Sequence, residues 1–507
     1  MKQTLKIIVF AIYFILLILV GAKLFFEKKF DTFTANLFPQ KVVVERTLKI
    51  GFSEPLISLS PLANDTGSRA RQYHIYESLV SISPDLQINP ALAISYGSVN
   101  DLIWEFRLRP DVMFHNGSPL TVDDVIFSLN KAKNDPSSGV KDLASGIKEV
   151  KKIDEKIFQI TTVSPDPLLL SKLSSFLIFP ASAIKDDTIG TGPYKLDKAE
   201  NDSLYLSRFG NYWGDKPAFD KVVLKTFASK EEKLNALKNG DCDIIASVPP
   251  DVAGDFKFEK FTLQTMPTLE VNFFMFNFDG VFKDKTLRQA VVAGLRVADL
   301  AKYAKGFAAP SEQFVGNGVF GYDPTILLQK YDEKLASNLI VEYIKNNKNE
   351  PAKITLDLPK GLEVFGKSVE KQLNAVGFET KVNYPAPQEL GNMIQNQKSP
   401  FYFFGWRSDL GDALDFLTAV VHSPAGEYGQ FNGGNYRNAE VDNLIEQSQK
   451  TIKSADRLAL MRKVMRIITN DDIIGVPLFS PEVLYGVSKN IKWSPRVDGL
   501  ILAQEAS

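Results

Sequence analysis

Residues 401–412 read F-Y-F-F-G-W-R-S-D-L-G-D. Four aromatic side chains lead to Gly405 and Trp406, and a carboxylate, Asp409, follows. An apolar run of this length reads as a buried strand. Such a strand needs a large core around it, yet it ends on an acid with only Arg407 nearby to offset it. A buried, half-paired charge is costly and persists where something else completes it.

A chain of 507 residues is too long for one core, so at least two domains are expected. With 44% apolar and 23% charged residues the composition is that of a globular protein. Lys and Arg (59) balance Asp and Glu (60), and no basic stripe stands out, so no nucleic-acid partner is expected. One cysteine, Cys242, cannot form an intrachain disulfide. Together with the scattered His74, His115 and His422 it makes a poor metal site. Each histidine reads as a surface or packing residue.

At the N-terminus, Lys2 and Lys6 precede sixteen uncharged, mostly apolar residues, 7–22. This is an export-type pattern, and the positive flank sends the rest of the chain out of the cytoplasm. Residues 1–26 therefore read as a signal anchor or a signal peptide. The apolar run continuing past Lys23 to Phe26 favours an uncleaved anchor, since a span needs about 20 residues. The small residues Val20-Gly21-Ala22 suit cleavage. Residues 27–46 read as a tether.

From residue 48 the pattern mixes helices and strands without strict alternation. Residues 48–52, 103–108, 271–276 and 354–358 read as strands. Residues 121–133 read as a helix capped by Thr121 with Asp124 three residues on. Residues 229–240 repeat the logic, with Gly240 placed to end the helix. Residues 286–296 and 364–377 read as further amphipathic helices. No repeat or low-complexity segment is visible.

None of the common hydrolase, metalloprotease or phosphate-loop motifs occurs. The acidic pairs Asp123-Asp124 and Asp471-Asp472 read as capping and solvation. The sequence instead carries a succession of turn-rich blocks: LVSISPDLQINPALA (79–93), WEFRLRPDVMFHNGSPLTVDDVIFSL (104–129), GTGPY (190–194), NYWGDKPAFDKVVL (211–224), ALKNGDCDII (236–245), and Asn277 leading into FKDKTLRQAV (282–291). Their order and wording resemble the extracytoplasmic solute-binding proteins of ABC importers, family 5, of oligopeptide-, dipeptide- and nickel-binding type. The resemblance runs from about residue 48 to 495.

The resemblance implies an α/β, two-lobed clamshell of the periplasmic-binding-protein type (type II) with an extra inserted subdomain, after the N-terminal membrane segment. Lobe I would comprise 47–75, 181–268 and 480–507, with 76–180 inserted, and lobe II 269–479. The implied function is capture of an oligopeptide or dipeptide between the lobes and delivery to an ABC permease with a cytoplasmic ATPase. The protein would be a monomer without a cofactor, periplasmic or at the cell surface. In peptide-binding members the aspartate of a G-W-x-x-D segment takes the ligand's α-ammonium. Here that segment is Gly405-Trp406-Arg407-Ser408-Asp409, with Trp406 as an apolar wall, and Asn64 and Asp65 are expected to join it. An internal Arg407–Asp409 pair is the competing reading. Phe403 stands where one oligopeptide binder has an arginine for the ligand's carboxylate. Leu19-Val20-Gly21-Ala22 lacks the lipobox cysteine, so no lipoprotein is expected. Other solutes (nickel chelate, haem, opine, oligosaccharide), a peptide sensor or chaperone, and a membrane-bound hydrolase remain as alternatives.

Overall fold

Strand positions follow from where the chain places its β-branched and aromatic residues. The structure is a computed structural model that describes residue 22 and residues 45–182, 188–250, 260–304 and 307–507. The expected anchor or signal peptide lies outside the described residues except for residue 22, as does the tether except for residues 45 and 46. Among the described residues no helix is long and apolar enough to cross a membrane.

The first strand, Thr47–Phe52, alternates buried and exposed positions at its start and pairs in parallel with Lys221–Thr226 and Ile244–Ile245. Lys221–Thr226 continues antiparallel into Ser203–Arg208 and then Tyr194–Glu200. Leu48, Ile50, Leu206, Val222, Leu224 and Ile244 close one core here. A separate four-stranded antiparallel sheet runs Ala93–Asn100, Ile103–Leu108, Ile157–Thr162, Ile147–Lys152. Its buried face packs with the helix Val122–Asn134 around Phe106, Phe158 and Val125. That helix starts on the expected capping box: Asp124 N–H donates to Thr121 Oγ1 (3.3 Å), and Thr121 N–H to Asp124 Oδ2 (3.0 Å). Helix Lys230–Asn239 begins on Ser229 and ends on Gly240 at φ 80°, a left-handed position that glycine takes without strain.

The other half of the main sheet orders Glu379–Asn383, Lys353–Asp357, Phe401–Arg407 and Glu270–Phe276 beside the long strand Gly475–Ser488. Helices cover both faces, so its central strands read as continuous apolar runs. The long strand joins the halves. Residues 475–479 pair with Glu270–Phe276, and residues 482–488 pair with Phe261–Pro267. Two antiparallel strands thus run together from one half to the other. Their ladder is interrupted around 268–269, where Thr268 N–H donates to Pro481 O (2.8 Å).

Candidate ligand cleft

Phe401–Arg407 is held in parallel by Lys353–Asp357 on one side and antiparallel by Glu270–Phe276 on the other. Its side chains alternate between two cores. Phe401 and Phe403 join Phe274, Phe276 and Phe365, while Tyr402, Phe404 and Trp406 face Phe273, Phe416 and Val420. Phe401 stacks on Phe276 at 5.0 Å between ring centres. The expected buried strand is present, and its aromatics serve both faces.

The strand then leaves the sheet through a turn: Ser408 N–H donates to Leu269 O and Gly411 N–H to Ser408 O. The turn corrects one expectation. Asp409 is not buried. Its side chain is 73% exposed, and Arg407, 47% exposed, donates Nε–H to its Oδ1 at 2.6 Å. The competing reading, an internal pair, is what the structure contains. The buried acid of the segment is Asp412, held by both terminal nitrogens of Arg457 at 2.6 and 2.8 Å, with both side chains almost fully enclosed. Arg457 lies 45 residues further along, so no local pattern announces the pair.

A third acid, Asp415, has no cation within bonding distance among the described residues. Burial pushes its carboxyl up to about 7, and the charges of Asp412 and Asp409 act in the same direction. The Phe416 N–H, which donates at 2.6 Å, opposes this. So does the nearby Trp406 indole, whose N–H makes no hydrogen bond of good geometry. Trp406 itself packs edge-on against Phe431 at 5.7 Å and leaves part of its surface open.

Gly405 leaves room for two side chains of the neighbouring strand. A Cβ there would stand 2.8 Å from Asn272 Oδ1 and 3.0 Å from Glu270 Oε1, so two oxygen acceptors lean over the bare backbone. Both come from the strand opposite: Asn272 pairs with Gly405 and Glu270 with Arg407. Sequence reading missed them: Glu270 precedes the apolar pattern, which starts at Val271, and Asn272 lies within that strand with no local signal that its side chain meets Gly405.

Across from the turn stands Leu86, at the tip of the hairpin formed by Val80–Ile82 and Ile88–Pro90. Its φ is +67°, a left-handed conformation that costs a side-chain-bearing residue about 1–2 kcal/mol. Its side chain lies 3.6 Å from where a Gly411 Cβ would be, and 3.8 Å from that of Gly318. The hairpin is braced by Arg496 Nη2 donating to Ile82 O (2.7 Å) and Val497 N–H to Pro84 O (3.3 Å). The hairpin tip therefore packs against the turn at Gly411.

Asn64 and Asp65 do not join this group. Asp65 caps the helix Thr66–Gln72, accepting from Ser68 N–H at 2.9 Å. Burial alone would raise its pKa, but the Ser68 hydrogen bonds and the Arg71 charge hold it below the usual range. Asn64 is exposed beside Gly139. Among the described residues no hydrogen bond or ion pair links either one to residues 403–409. Phe403 lies on the face that carries Gly405 and Arg407, against Phe274 and Phe365 at 6.2 and 6.1 Å. Cys242 is buried, which pushes its thiol up to about 12 and leaves it unreactive. Among the described residues no group of three or more His, Cys, Asp or Glu could hold a metal ion.

Known proteins share this fold. The chain is 24% identical over 452 residues to a glutathione-binding protein of Pectobacterium atrosepticum, covering 85% of this chain and 88% of that one. It is 24% identical over 476 residues to di/tripeptide-binding protein 2 of Pseudomonas aeruginosa, covering 83% and 87%. Among solved structures it superimposes on the unliganded open form of the periplasmic murein tripeptide-binding protein MppA with a TM-score of 0.83 at 18% identity, covering 92% of this chain and 97% of that one. A nickel ABC transporter protein of Bacillus halodurans gives 0.80 at 23% identity, covering 91% and 100%. These likenesses show the fold, a two-lobed α/β binding protein. The profile of bacterial extracellular solute-binding proteins, family 5 Middle, matches residues 87–428, more than half of the sequence. The chain belongs to that family, whose members bind solutes rather than transform them.

Proposed function

We propose that the protein is the extracytoplasmic peptide-binding subunit of an ABC importer. It closes two lobes on a peptide and delivers it to a permease driven by a cytoplasmic ATPase. The observation that carries this reading is Asp409: an exposed carboxylate, held by a single arginine contact, on the turn that follows the aromatic strand and meets Leu86 at Gly411. A ligand ammonium can displace Arg407 at small cost, because exposed ion pairs are worth about 0–1 kcal/mol. The relatives named for glutathione and for di- and tripeptides support a short peptide. Lobe I comprises residues 47–75, 181–268 and 480–507 with 76–180 inserted, and lobe II comprises 269–479. The paired strands through 268–269 and 480–481 act as the hinge. Residues 1–26 serve as anchor or export signal.

Calorimetry on residues 47–507 with short peptides tests the reading. Free-amine peptides bind and are recovered intact, and their N-acetylated forms bind more weakly. Binding of a metal chelate or a sugar, with no peptide of any length binding, would overturn the peptide assignment.

A further inference from the structure

Glu270 and Asn272 present two acceptors over Gly405, and among the described residues no side chain donates to them. Asn272 is only 7% exposed, yet its carboxamide makes no hydrogen bond to another described residue. Glu270 is half-buried, and no described cation meets its carboxylate. Neither group is among the buried polar atoms sealed from water without a partner, so both acceptors stay open to a donor that arrives in another state of the molecule. One donor is already at hand. Arg407 stands directly opposite Glu270 in the antiparallel register, and in that geometry the two side chains share a face of the sheet. Gly405 lies two residues before it on the same face, with no side chain to obstruct an arginine folding back. A guanidinium is a planar fork of donors, and two oxygens side by side are what such a fork engages. Arg407 now spends its Nε–H on Asp409, outside this seat.

We infer that Glu270 and Asn272 form a second seat for Arg407, occupied when a ligand ammonium takes Asp409. Glu270 is then a positioning residue: it touches no ligand and lowers the cost of vacating Asp409. The inference rests on the reading that a peptide ammonium goes to Asp409, and it deepens that reading by explaining why the site carries its own competing cation. While no ligand is present Arg407 keeps Asp409 neutralised. When ligand binds, the arginine stays paired instead of being expelled into the cleft.

Two arms test it. In the first, no ligand is used. Arg407→Ala, Glu270→Gln and the double variant are melted in the wild-type and the Asp409→Asn backgrounds. Asp409→Asn removes the first partner, so a coupling between Arg407 and Glu270 in melting temperature is expected there, and little or none in the wild type. Equal coupling in both backgrounds, or none in either, overturns the seat. In the second arm, calorimetry follows a free-amine and an N-acetylated tripeptide. Glu270→Gln is expected to weaken the free-amine peptide by up to about fivefold, the worth of one cross-strand charge pair. It should leave the acetylated one unchanged and have no effect once Arg407 is alanine. A loss of the same size in the Arg407→Ala background would mean that Glu270 meets the ligand itself and would overturn the inference. Coupling in the first arm with no peptide binding in the second would keep the seat and remove the peptide reading.

Discussion

Two arginine–aspartate pairs stand three residues apart on one turn, and they are built for opposite purposes. Asp412–Arg457 is buried, bidentate and joined across 45 residues of sequence. Asp409–Arg407 is exposed, makes one contact and spans two residues. The first ties the turn to the helix Ser454–Arg466, so that the turn has a fixed shape. The second rests on that shape and can be exchanged. Rigid support beneath a labile pair suits the proposed capture of a ligand ammonium at Asp409, because on that reading the carboxylate must be in place before the ligand arrives.

The comparison breaks first at Arg457. Arg457→Ala leaves Asp412 buried without its partner, and removing one member of a buried pair costs about 3–5 kcal/mol. A large fall in the denaturation midpoint is expected, with peptide affinity lost as a consequence of the misplaced turn. A variant as stable as wild type would show that the pair is ornamental to the fold. Asp409→Asn should do the reverse. Stability stays within about 1 kcal/mol, while affinity for free-amine peptides falls by about 1.5–3 kcal/mol, the worth of a hydrogen bond to a charged group. Calorimetry and thermal melts on the same two variants separate the roles.

Asp415 sharpens the contrast, as the third acid of the segment and the one with no cation within bonding distance among the described residues. Its pKa is raised by burial, first of all, to about 7. The folded state therefore holds this proton more tightly than the unfolded chain does. Its contribution to stability is full below the ordinary carboxylate range and is lost as pH rises toward and through 7. Glu77, raised to about 7 by burial, runs in the same direction. His74, held near 4 by burial, runs oppositely and favours the fold as pH rises from 4 to 6.5. A difference curve isolates Asp415: relative to wild type, Asp415→Asn should gain melting temperature between pH 5 and pH 8. A difference that does not change with pH would mean that the carboxyl titrates normally.

How far the sequence disclosed all this follows from the range of each interaction. The aromatic strand, the Thr121–Asp124 capping box and the Gly240 stop are short-range patterns, and the structure places them within a residue or two of where periodicity and capping residues put them. The Arg407–Asp409 pair was legible as an alternative because strand alternation puts residues two apart on one side. What sequence could not give is contact between distant segments. Asp412 with Arg457, Leu86 against Gly411, and Glu270 over Gly405 each need the third dimension. The burial of Asp409 was misjudged for a related reason. An apolar run predicts that its own residues are buried and is silent on how steeply the chain turns out of the sheet afterwards.

The smallest effect falls on Arg407, and its sign is the informative part. As an exposed pair, Arg407–Asp409 contributes about 0–1 kcal/mol, so Arg407→Ala should scarcely move the melting temperature. It should nevertheless tighten binding of free-amine peptides, by no more than about fivefold on the same energy scale, because the competitor for Asp409 is gone. The two members of one ion pair would then shift affinity in opposite directions: down for Asp409→Asn, up for Arg407→Ala. A pair kept for structure cannot do this, since losing either member removes the same contact. If both substitutions weaken binding alike, Arg407 contacts the ligand directly, and its bond to Asp409 orients the guanidinium for that contact instead of guarding the carboxylate.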